Sequence, residues 1–172
     1  MSAILAIDPG STESGYVLYG GESPISQFGK VGNDDLLKVM STLPEPPVVA
    51  LEMVASYGMA VGATVFETCV WIGRFEQRAR DLGYAVHRIV RKEVKMHLCG
   101  TNRAKDSNIV KAVSDRMTDL YWSGGGSNPS RGTKDQPGPC YGVKADVWQA
   151  LALAITFDEA EALAPLVRGV GR

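Results

Sequence analysis

Apolar and polar positions along the chain alternate between two periods. Ile4 to Ile7 is a short apolar run that ends at a lone acid, Asp8. Pro9-Gly10-Ser11 then makes a tight turn, and Gly15 to Tyr19 resumes strand character. Pro24 to Phe28 reads as a third strand, so the chain opens as an antiparallel meander. Asn33 is placed to cap a helix carrying Leu36, Leu37, Val39 and Met40. In "PEPPVVALEMV" a Pro-rich loop precedes Val48 to Leu51, which ends at Glu52. That run does not alternate, the mark of a strand buried on both faces.

Helical spacing follows from about Val61 to Leu82, with Phe66, Val70, Gly73 and Gln77 on one stripe and Gly83 as C-cap. Phe66, Val70 and Trp71 read as core or dimer contacts. Tyr84 to Val90 is another strand, and Lys92 to Leu98 and Ala104 to Leu120 are helical. Tyr121 to Val143 is rich in Gly, Pro and Ser and has no period. It is too long for an ordinary connection and reads as a mobile or functional loop. Ala145 to Leu163 closes the chain as a helix around "ALALAI". This order predicts a single α/β domain over 1–172 with a five-stranded mixed sheet flanked by helices. The first three strands are antiparallel, and the others run parallel to the first.

Composition narrows the class. The chain is 172 residues long, 45% hydrophobic and 22% charged, ordinary for a globular protein. No apolar run approaches the ~20 residues that span a bilayer, and no secretory leader is evident, so no membrane partner is expected. Cys69, Cys99 and Cys140 are odd in number and far apart, which argues against a disulfide framework or a structural zinc. A reducing cytoplasm is the expected location.

The net charge of −1 hides an uneven distribution. Residues 1–73 carry 2 Lys/Arg against 8 Asp/Glu, and residues 74–116 carry 11 against 5. A basic middle of this kind is either a solvated helix face or a surface that meets a polyanion.

Candidate chemistry begins with Asp8 and Glu52, each a lone acid directly after a short apolar strand. On adjacent parallel strands both would emerge at the carboxyl end of the sheet, where open α/β sheets build their sites. Two carboxylates held together call for a cation, and Mg²⁺ takes oxygen ligands. The turn after Asp8 could instead hold a phosphate. Asp146, at the start of the closing helix, is the third acid, although an Asp also suits a helix start through the dipole. Asp158, Glu159 and Glu161, about three turns down, should face solvent.

Four ordered stretches resemble the RuvC-like Holliday junction resolvases of the ribonuclease H-like superfamily, especially their phage-type members. They are "AIDPGSTESGY", "ALEMV", "VKMHLCGTNRAKDSNIVKAV" and "KADVWQALALAI". The resemblance implies a structure-selective DNA endonuclease that resolves four-way junctions. Asp8, Glu52 and Asp146 match its catalytic, metal-binding positions, with two Mg²⁺ ions expected and Mn²⁺ able to substitute. A second acid is usual three residues into the closing helix, where this chain has Gln149 as its fourth position. An amide oxygen can ligate there but brings no charge. DNA contacts are expected from Arg91, Lys92, Lys95, Arg103 and Lys105, with Tyr57 as a stacking aromatic. The second functional lysine of the family falls on Asp106, next to Lys105, and Lys105 is assigned that role. A homodimer is implied, since a junction needs two symmetric cuts.

Three rival readings stay open. One is a nuclease that prefers forks or flaps. Another is a junction-binding protein that does not cut, which Gln149 favours. The third is an ATPase of the same superfamily fold, because "DPGST" also resembles a phosphate-binding turn. For that reading the chain is short and its basic middle has no role.

Overall fold

A computed structural model describes residues 3–20, 23–43, 47–56, 58, 60–121 and 130–168, with side chains as far as 163. Five strands form one mixed sheet: β1 (Ile4–Asp8), β2 (Glu13–Tyr19), β3 (Ile25–Gly32), β4 (Val48–Met53) and β5 (Val86–Val90). Their order across the sheet is β3-β2-β1-β4-β5. β1 pairs antiparallel with β2 and parallel with β4, and β4 pairs parallel with β5. The meander and the parallel half both agree with the sequence reading.

The pleat explains the non-alternating pattern. Successive residues of β1 point to opposite faces, and both faces are covered. Ile4 and Ala6 join Val17, Tyr19 and Ala50 in a core under three helices: α3 (Arg91–Cys99), α4 (Asp106–Tyr121) and α5 (Val147–Arg168). Leu5 and Ile7 join Tyr16, Leu18, Val49 and Leu51 under α1 (Asn33–Ser41) and α2 (Ala63–Asp81). Every residue from Ala150 to Ile155 is buried, so α5 lies across the sheet as its main cover. Gly83 ends α2 as expected: its φ is +78°, and Tyr84 N–H donates back to the Ala79 carbonyl at 2.9 Å.

Several expectations change. Asn33 does not cap α1. It is buried and tied to the turn after β1: its side-chain amide donates to the Gly10 carbonyl at 3.0 Å and accepts from Ser14 Oγ at 2.6 Å. The closing helix starts at Val147, so Asp146 stands just outside it, with its carbonyl accepting from Ala150 N–H at 3.1 Å. Phe66 and Val70 are not core; they are 61% and 56% exposed, and α2 turns Ile72, Phe75 and Ala79 inward instead. Glu159 does not face solvent alone, because Arg116 donates to it at 3.0 Å and His97 lies at 2.5 Å. Among the described residues no helix is long and apolar enough to cross a membrane.

Candidate functional site

Three neighbouring parallel strands end in three chemically active residues. Ile7 and Leu51 are partners in the β1–β4 register, so the next residues, Asp8 and Glu52, emerge side by side. Met53 pairs with Val90 at the end of β5, and Arg91 follows at once as the first residue of α3. The carboxyl edge of the sheet thus presents acid, acid, base.

Arg91 reaches inward. Its Nη1 lies 3.4–3.5 Å from both Glu52 carboxylate oxygens, and its Nη2 donates to Asp106 Oδ1 at 2.7 Å. Asp106 opens α4 and joins the site as a further acid. The sequence reading passed it over for Lys105, although the family position had fallen on Asp106 itself. Asp146 arrives on the other side, where Lys30 of β3 holds it at 2.8 Å. It comes this close because β2 has no side chain opposite Asp8. Gly15 is the register partner of Asp8, and a Cβ there would lie 2.9 Å from the Asp146 carbonyl carbon and oxygen.

Crowding and burial appear in the proton affinities. Burial, then the nearby Glu52 charge, push the Asp8 carboxyl up to about 7; Asp146 and Asp106 add to this and Arg91 opposes it. Burial also raises Glu52, and Arg91 restrains the rise. Gly10 shapes the turn beyond Asp8, since a Cβ on it would meet the Glu13 carbonyl oxygen at 2.2 Å.

The donors fit a hard divalent cation in kind. Asp8, Glu52, Asp106 and Asp146 offer only oxygen, and the buried Gln149 Oε1 has no hydrogen-bond partner among the described residues. Their placement is looser. Among the described residues no three acidic, His or Cys side chains stand together closely enough to hold one ion. Lys30 draws Asp146 aside, and Arg91 occupies the space between Glu52 and Asp106.

The expected DNA-contacting cations flank this edge. Arg91, Lys92 and Lys95 line a cleft of about 430 Å³ with Asn102. Lys92, Lys95, Arg103 and Lys105 make no ion pair among the described residues, whereas Lys111 pairs with Asp115. The proposed stacking residue Tyr57 lies outside the described residues.

No family model matches the chain, and no curated protein matches it in sequence. Solved structures do match in fold. Thermus thermophilus RuvC in complex with a Holliday junction substrate superposes with a TM-score of 0.68 at 17% identity, over 95% of this chain and 97% of that one. A second Thermus thermophilus RuvC structure gives 0.64 at 19% identity, over 94% and 96%. The chain has the fold of the RuvC Holliday junction resolvases, a ribonuclease H-like fold with the predicted strand arrangement.

Proposed function

We propose that the chain is a metal-dependent endodeoxyribonuclease acting on branched DNA, with four-way junctions as its main substrate. The observation that carries this reading is the carboxyl edge of the sheet. Asp8 and Glu52 stand side by side at the carboxyl ends of adjacent parallel strands, Asp146 stands just before α5 near enough to raise the Asp8 carboxyl, and lysines without an ion pair among the described residues lie along the same edge of a RuvC fold.

Asp8, Glu52 and Asp146 would hold two Mg²⁺ ions, with Mn²⁺ as substitute, and Gln149 Oε1 is the additional oxygen donor. Such ions, when bound, lower the pKa of an attacking water and stabilise the charge that builds on the phosphate. The chain's own part is positioning. The β1–β4 register fixes the spacing of Asp8 and Glu52. Lys92, Lys95, Arg103 and Lys105 anchor backbone phosphates beside them. Arg91, oriented by Asp106, keeps a positive charge next to the reacting phosphate.

A homodimer would supply two symmetric sites. Phe66 and Val70 on α2 are among the exposed apolar side chains and would pack in such an interface.

One observation favours a second reading, a junction-binding protein that does not cut. Asp146 is engaged by Lys30, and among the described residues no ion-sized group of acids is assembled. A cleavage panel of four-way, forked and linear DNA, with Mg²⁺ or with EDTA, separates the two. Junction cleavage that needs Mg²⁺ and disappears in Asp8→Asn, with junction binding retained, is expected. Binding without product in Mg²⁺ or Mn²⁺ would refute the nuclease. Cleavage by Asp8→Asn would refute the site.

A further inference from the structure

The described part of the Gly/Pro-rich segment, 130–144, is a constructed loop. Gly132 and Pro137 form an antiparallel bridge, Thr133 N–H donates to the Gln136 carbonyl at 2.8 Å, and Gly138 N–H donates to the Arg131 carbonyl at 2.9 Å. Gly132 has φ +66°, and a Cβ on it would lie 2.2 Å from the Gln136 carbonyl oxygen. Cys140 and Val143 are buried in the core under α4 and α5, which pins the far end of the loop.

This frame brings Arg131 and Lys144 to line a cleft of about 470 Å³ together with Asp106 and Asp146. The Arg131 guanidinium stands over the buried Trp148 ring at 5.0 Å, so its face is packed while its N–H edge stays exposed. Both acids of the cleft are already engaged from elsewhere, Asp106 by Arg91 at 2.7 Å and Asp146 by Lys30 at 2.8 Å. Arg131 and Lys144 make no ion pair among the described residues. The cleft therefore has two cations to spare. The Arg91–Asp106 pair divides it from the lysine-lined cleft at α3, for Arg91 lines one and Asp106 the other.

We propose that this loop is a second phosphate-binding lip, in which Arg131 and Lys144 grip the DNA backbone on the far side of the acids from Lys92 and Lys95. The inference rests on the DNA-processing reading above and adds a binding surface to it. A strand lying across the acids is then held on both flanks, which fixes the phosphate between them.

The test is junction binding by fluorescence anisotropy in EDTA, with salt varied from low to moderate concentration. The full chain is compared with Arg131→Ala/Lys144→Ala, Lys144→Ala alone, Lys95→Ala and Lys111→Ala. Each lost phosphate contact should weaken binding about eightfold near 0.1 M salt and lower the salt slope by about 0.9. The double variant should therefore lose about 60-fold, Lys144→Ala about eightfold, and Lys111→Ala less than twofold. Lys144→Ala guards against a loop disturbed by loss of the Arg131–Trp148 stack. If the loop variants keep wild-type affinity and slope while Lys95→Ala loses both, the lip is wrong and the DNA-processing reading stands. If the unaltered chain shows no salt-dependent junction binding, both fall.

Discussion

Asp8 should destabilise the protein that depends on it, and the cost can be read against pH. Its carboxyl rises from 3.8 to about 7 on folding, chiefly by burial and then by the Glu52 charge. Among the described residues no hydrogen bond to its carboxylate offsets this. The folded chain therefore holds the proton more tightly than the unfolded chain. Folding takes up a proton between these two pH values, so stability falls as pH rises through that window and levels off above about 7. Three powers of ten in proton affinity correspond to about 4 kcal/mol at the plateau. Asp8→Asn keeps the shape and removes the charge. In EDTA the variant should exceed the wild type by up to ~4 kcal/mol above pH 7, or roughly 10 °C in Tm for a chain of this size. At pH 5 the gain should be less than half of that. Urea unfolding of both proteins from pH 4 to 8.5 measures the difference directly. A gain that does not vary with pH, or a variant less stable than wild type at pH 8, would refute the reasoning.

Two further substitutions probe the same edge. Gly15→Ala places a methyl against the Asp146 backbone at 2.9 Å, so Asp146 must shift. Cleavage should drop roughly 10–100-fold while junction affinity stays within twofold, because a small displacement of a catalytic group is costly; unchanged single-turnover rates would count against the placement of Asp146. Arg91→Met leaves Glu52 and Asp106 without their shared partner. Stability in EDTA should fall by about 1–2 kcal/mol, discounted for the exposed Asp106; a variant as stable as wild type by urea unfolding would show that the pair contributes nothing.

The fold was legible because its pattern is unusually direct. A non-alternating apolar run leading into an acid occurs twice, at Ile4–Asp8 and Val48–Glu52, and both strands are buried on two faces, although β4 runs one residue further, to Met53. The same rule located two of the acids. Asp146 is a candidate through the motif around it, and the structure starts the closing helix at Val147, after it, not at Ala145. Asp106 is set aside for Lys105, and Lys30 and Gly15 are not singled out, for a shared reason. Each acts through a partner distant in the chain: Arg91 for Asp106, and Asp146 for both Lys30 and Gly15. Asn33 misled because a polar residue before a helix normally serves that helix, whereas here Ser14 and Gly10 claim its side chain. For Phe66 and Val70 the sequence leaves core and dimer contact open, because helical spacing reports an apolar stripe and not which side of the helix meets the sheet; their exposure removes the core alternative.

The acids are mounted in two mechanically different ways. Asp8 and Glu52 are the fixed jaw of a clamp, for their backbones follow directly on the Ile7–Leu51 pair of the β1–β4 ladder. Asp146 is the adjustable jaw. It follows Ala145, whose φ of +44° makes a sharp bend, and it is carried by the loop whose other residues take the far flank of the cleft. Its place is set by the loop behind it and by two strands of the sheet, Lys30 of β3 gripping its carboxylate and Gly15 of β2 lying against its backbone. Insertions and deletions between Ser130 and Lys144 should therefore shift Asp146 relative to Asp8 and Glu52 while the strand ladder that spaces those two stays as it is.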